Sequence, residues 1–204
     1  MQYSKYKNIV NGTSSYITRL LAEHCMPVLL HIKPSNTLSV YLRFIQDQTE
    51  FISGLVQLTG FFGCRIRILY QNDTMLFVLI YYPELLQKTL HREQNQKFLY
   101  QFGYTKKAIS IEYAIQHLKK RYQSYKEKGL EFPHEIGILL GYPYEDVEGF
   151  IRHKGKNYLY QGCWKVYGNA EETKEIFDKM RKAKEFGRII LPYISSFAIL
   201  PLSK

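Results

Sequence analysis

No run of about 18 apolar residues occurs in this 204-residue chain, so an ordinary membrane-spanning helix is not expected. The longest apolar run, Met75 to Tyr82, is far too short and reads as a buried strand. Cysteine is scarce: Cys25, Cys64 and Cys163 lie far apart with no C-x-x-C spacing. That pattern excludes a disulfide framework or a zinc ribbon and fits a reducing compartment. The first residues, Met-Gln-Tyr-Ser-Lys-Tyr-Lys-Asn, lack the apolar core of a signal peptide, so a cytoplasmic location is expected. Neither a P-loop nor a Rossmann glycine fingerprint is present. There is also no internal repeat, and no linker rich enough in Pro, Gly and Ser to divide the chain. One domain over residues 1–204 is expected, with 1–12 as a loose leader.

What the chain does carry is apolar content, tyrosine and positive charge. Its 46% hydrophobic content, at a length that can bury a real core, indicates a folded globule. Twenty-eight Lys and Arg against 18 Asp and Glu give a net charge of +10, which favours association with polyanions through a long-range field.

The apolar spacing predicts helices from about Ser14 to His24 and from Asp47 to Leu58. Val28–Ile32 and Leu38–Leu42 read as short strands around a Lys33-Pro34-Ser35-Asn36 turn. Arg65-Ile66-Arg67-Ile68 alternates as a half-exposed strand does, and Asn72-Asp73 turns the chain into the apolar strand Met75–Tyr82. Two helices follow, from Pro83 to Leu90 and near Gln94 to Phe102. A long one runs from Ser110 to Lys128 and is closed by Gly129. His134–Leu140 reads as a strand, and a helix from Pro143 carries acids in its first turn and Arg152, His153 and Lys154 in its last. Tyr158–Tyr167 reads as a strand or hairpin bearing Trp164, and Asn169 with Glu172 forms a capping box for a helix through about Phe186. The expected fold is α/β or α+β, a single domain with one mixed central sheet covered by helices. Met75–Tyr82, His134–Leu140 and the Trp164 strand are expected in the middle of that sheet.

The densest stretch lies between Phe132 and Asn169, where Pro-His-Glu-Ile-Gly-Ile-Leu-Leu-Gly-Tyr-Pro-Tyr-Glu-Asp-Val-Glu-Gly-Phe-Ile precedes Gly-Cys-Trp-Lys-Val-Tyr-Gly-Asn. These blocks, with Glu23-His24-Cys25-Met26-Pro27-Val28-Leu29 near the start, resemble the signature of an uncharacterised bacterial family, domain of unknown function 3793. The resemblance implies a full-length domain in a bacterial cytoplasm and carries no activity. Relatives have a Cys after the basic pair of the last helix, where this chain has Lys182-Ala183-Lys184. The departure argues against a role for a C-terminal thiol.

Residue types in the chain touch on four chemistries. Cys25 precedes His134 in the chain, the order found in papain-like peptidases, but Cys25 ends a helix, where the dipole disfavours a thiolate. Glu23, His24, Cys25, His134, Glu135 and Cys163 include acceptable metal ligands with no metal-site spacing, so no metal is expected. Helix starts at Pro143 and Asn169 face their own acids rather than an open anion site, and no cofactor is implied. Cations interleave with aromatics at Lys119, Lys120, Arg121 and at Arg152, Lys154, Lys156, Tyr158, Lys165, as single-strand binders require. The expected function is a non-enzymatic binding protein with a polyanionic partner, either single-stranded nucleic acid or an acidic protein. The alternative is a Cys/His-dependent hydrolase or acyl transferase using Cys25 and His134.

Overall fold

The chain is arranged in three layers around one apolar strand. In the computed structural model, residues 12–105 and 109–198 are described, with side chains as far as Ser195. Except for Gly12, the expected leader lies outside the described residues. β3 (Met75–Tyr81) is flanked by β1 (Ser35–Tyr41) and β2 (Arg65–Gln71), all antiparallel. Tyr81 faces Ser35 on one side and Arg65 on the other, and β2 breaks register between Ile68 and Tyr70. Side chains alternate across a strand, so one sequence run feeds two cores. Leu76, Val78 and Ile80 enter the first and Phe77, Leu79 and Tyr81 the second.

The first core is closed by α1 (Thr13–His24), the single turn α2 (Met26–Leu29), α3 (Gln48–Phe61) and the long α9 (Ala170–Ala198). The second is closed by α4 (Pro83–Leu90), α5 (Glu93–Gln101), α6 (Ile111–Lys128), the turn α7 (Ile136–Leu139) and α8 (Tyr144–Arg152). A two-residue hairpin, β4 (Tyr160–Gln161) and β5 (Lys165–Val166), stands apart and pairs Tyr160 with Val166. Among the described residues no helix is long and apolar enough to cross a membrane.

Local signals account for most boundaries. The Asp47 side chain accepts from the Glu50 amide at 3.0 Å, and Ser110 from Tyr113 at 3.3 Å. Gly129 ends α6 at φ 65°. Asn169 Oδ1 accepts from the Glu172 amide at 3.2 Å, the first bond of a capping box, while the Glu172 carboxylate accepts from the Asn169 side-chain amide at 3.3 Å rather than from its backbone N–H.

The α+β class stands, with one central sheet between helices, but that sheet is antiparallel throughout. Four local expectations are corrected. His134–Leu140 is not a strand: Pro133 leads into helical turns, with Ile138 N bonded to Glu135 O and Leu140 N to Ile136 O. Residues 135–140 are all buried, and a short continuous apolar run carries no period that tells helix from strand. Val28–Ile32 likewise falls on α2 and its exit. Trp164 sits in the separate hairpin rather than the central sheet. The last helix passes Phe186 and continues to Ala198 with Pro192 inside it.

Candidate functional site

Cys25 and His134 lie in different layers. Cys25 is fully buried in the core beneath Val78 and Ile80, and burial pushes its thiol up to about 12. His134 lies between the rings of Phe132 and Phe150, at 5.2 and 5.4 Å, beside the other core. Of the sequence's metal-capable residues, Glu23 makes a two-pronged bond to Arg188 at 2.7 Å, and Glu135 holds Arg121. Iodoacetamide at pH 7.5 is expected to label the exposed Cys163 and to leave Cys25 and Cys64 unmodified in the native protein. Peptide mass spectrometry that finds Cys25 labelled as fast as Cys163 would contradict this.

The basic residues divide by what holds them. Arg121 reaches the fully buried Glu135 at 2.5 Å, so its charge is largely spent inside the molecule. Lys165 donates to the Gly155 carbonyl at 2.6 Å and lies 4.9 Å from the Tyr158 ring, which braces the hairpin. Arg152 pairs with Glu148 at 3.2 Å. Lys119, Lys120, Lys154 and Lys156 are exposed and belong to no ion pair among the described residues. Tyr158 is exposed as well.

The most unusual charge in the molecule is one whose sequence context is an ordinary turn. Lys33, on the lead-in to β1, is only 8% exposed. Its ammonium donates to Asn36 Oδ1 at 3.1 Å and lies 5.2 Å from the centre of the Tyr142 ring. Asn36 is oriented by its own amide, which donates to the His24 carbonyl at 2.7 Å. Cys25, Cys163 and Lys184 act on its charge, and among the described residues no carboxylate does. Burial lowers the Lys33 pKa from 10.5 to about 8. An ammonium out of water without a counter-charge is costly, so its place on a cavity wall is informative.

That cavity, of about 680 Å³, is bounded by the Lys33–Pro34 segment, the Gly141–Tyr144 turn, Trp164, the α4–α5 corner and one flank of α9. Ser35 Oγ donates to the Leu139 carbonyl at 2.7 Å and docks the strand on the turn. Gly141 permits the close approach: at φ 78° it faces the Pro34 ring, which any Cβ there would strike. Tyr142 and Trp164 stack at 4.5 Å and 25°, and burial raises the Tyr142 hydroxyl to about 12. Both rings also border a second, mainly apolar cavity of about 370 Å³, into which His134, Phe150 and Cys163 contribute. They therefore form a wall common to the two spaces. Arg92 and Lys179, with Glu145 and Glu172, edge the larger cavity, but all four are exposed and screened by water.

The wall is fixed by Asp146, which is 2% exposed. Its carboxylate accepts from Trp164 Nε1 at 2.7 Å, from Tyr167 N at 2.7 Å and from Gly168 N at 2.9 Å. Phe177 of α9 backs the indole edge-on at 4.4 Å.

A protein-family model described as Protein of unknown function (DUF3793) matches residues 21–194 of the chain. The chain belongs to this family. No curated protein and no solved structure matches it. In this DUF3793 protein the matched span includes every residue that lines the two cavities, from Ile32 to Met180. Sequence reasoning missed Lys33 because Lys-Pro-Ser-Asn is ordinary turn composition. Part of the burial that makes the lysine unusual is supplied by residues more than 100 positions away, Tyr142 among them.

Proposed function

We propose that this DUF3793 protein is a non-enzymatic binding protein of the bacterial cytoplasm. Its ligand is a small anion with an apolar or aromatic body, held in the cavity between Lys33 and the Tyr142–Trp164 pair. The observation that carries this reading is the buried Lys33 ammonium, which has an amide oxygen and a ring face near it but no acid among the described residues. An entering carboxylate or phosphate supplies the missing charge at low local dielectric. The stacked rings offer a flat apolar surface to the remainder of the ligand.

The probe is 3-phenylpropionate, followed by calorimetry. Wild-type protein is expected to bind it, with affinity at least tenfold weaker in Lys33→Met and unchanged in Lys119→Ala. No binding, or equal binding by Lys33→Met, overturns the reading.

A second reading rests on the segment Arg152–Tyr160, where Arg152, Lys154 and Lys156 occur with no acid and Tyr158 and Tyr160 are exposed. Such a surface suits a polyanion, here single-stranded RNA. Retention of RNA is expected at low salt, falling steeply as salt rises. A Lys154→Ala/Lys156→Ala protein should show a shallower salt slope, by roughly 0.7 for each phosphate that is no longer neutralised. Absence of retention at low salt removes this reading.

A further inference from the structure

We infer that the cavity takes 2-oxo acids, and that Lys33 Nζ binds them as a reversible imine. The inference rests on the anion reading above and narrows it to a chemical class. Three features of the site support it.

First, among the described residues Lys33 Nζ has one hydrogen-bond partner, Asn36 Oδ1, and no carboxylate to keep it protonated. Burial brings its pKa down to about 8, so roughly a tenth of it is neutral amine at pH 7, against about one part in 3,000 for a free lysine. Desolvated lysines with depressed pKa values are the ones that attack carbonyls. Second, Lys33 lines a cavity of about 680 Å³, and its Nζ lies 5.2 Å from the centre of the ring of Tyr142, which lines the same space, so a carbonyl carbon held in that cavity is near the nucleophile. Third, a 2-oxo acid places its carboxylate next to the carbonyl. One ligand group then meets the protonated form of Lys33 and its neighbour meets the neutral form, while the side chain lies along Tyr142 and Trp164.

The step needs no redox partner. The lone pair of neutral Nζ forms a bond to C2, and the C=O π pair moves to oxygen to give a carbinolamine. The C–O bond then breaks. Counted from the ammonium, two of its protons leave with that oxygen as one water, and the third stays on the iminium nitrogen.

The experiment uses the whole protein with phenylpyruvate and borohydride at pH 7.5, mapped by peptide mass spectrometry, beside calorimetry with 3-phenylpropionate. Hydride addition to C2 converts the imine into a stable secondary amine. The expected result is one adduct per chain on Lys33, at least tenfold above exposed lysines such as Lys119 and Lys156, and suppressed by excess 3-phenylpropionate. Adducts spread over exposed lysines with Lys33 no more labelled than they are overturn the inference. If 3-phenylpropionate binds but Lys33 is not trapped, the imine fails and the anion reading stands. If 3-phenylpropionate does not bind, the anion reading fails first. Protection by 3-phenylpropionate is read on wild-type protein, so the test does not depend on a Lys33 variant folding.

Discussion

Lys33→Met is expected to stabilise the protein at pH 7, by up to about 3 kcal/mol, while weakening its binding of small anions. The stabilisation follows from the difference between an unfolded-state pKa of 10.5 and a folded one of about 8, at roughly 1.4 kcal/mol per unit. The sign is set by proton counting. Between pH 8 and 10.5 the unfolded chain holds the Lys33 proton and the folded chain does not, so rising pH favours the fold. Below about pH 8 the full burden of burying the ammonium is present, and above 10.5 it is gone. The advantage of Lys33→Met should therefore be flat below pH 8 and vanish near pH 10.5. Cys25 and Cys64, both lifted from 9.0 to about 12 by burial, act with the opposite sign above pH 9. Cys64 is common to both proteins and cancels in the difference, whereas Cys25 interacts with Lys33. The comparison is therefore cleanest below pH 9, where both thiols stay protonated in both states. Urea unfolding of the two proteins across this range checks the profile, and a variant less stable than wild type at pH 7 would refute it. A residue that destabilises the fold and improves a site is what the stability–activity trade-off describes.

Asp146→Ala should be the most damaging single change at the site, lowering stability by about 3 to 5 kcal/mol. The carboxylate satisfies three donors, one on the indole and two on the Tyr167–Gly168 backbone, and bonds to an ionised acceptor are stronger than neutral ones. Removing it leaves those donors facing half-buried surroundings with no acceptor. Asp146→Asn keeps one acceptor oxygen but turns an amide toward the donor of the other, so its loss should be smaller, about 1.5 to 3 kcal/mol. Trp164 is the chain's single tryptophan, so its fluorescence reports the same event as a red shift when the indole loses its clamp. Binding of 3-phenylpropionate should fall with it, because the Tyr142–Trp164 stack loses one of its two rings. An Asp146→Ala protein within 1 kcal/mol of wild type, with unshifted emission, would show that the hairpin is held by Phe177 packing instead.

Helix ends were legible where the signal is local. Asp47, Ser110, Gly129 and the Asn169–Glu172 pair each act within three or four residues, and each does what its residue type implies. In the sequence, Asp146 reads as a first-turn acid matched to a helix dipole. That account is incomplete, since its main partners lie 18 to 22 residues downstream. His134–Leu140 misled for a related reason. An apolar run buried on all sides has no polar face to reveal its period, and Glu135 within it is buried only because Arg121 reaches it from α6.

By itself, the order of residues determined the α+β class, the apolar strand Met75–Tyr81 with its two faces, and the positions of most helix caps, because periodicity and capping are short-range. Only the tertiary structure decided which charges matter. It packed Gly141 against Pro34, brought Trp164 onto Tyr142, and enclosed Lys33 with no carboxylate acting on it among the described residues. The physical reason is that burial and electrostatic partnership are properties of neighbours in space, and a side chain's own sequence context carries almost none of them.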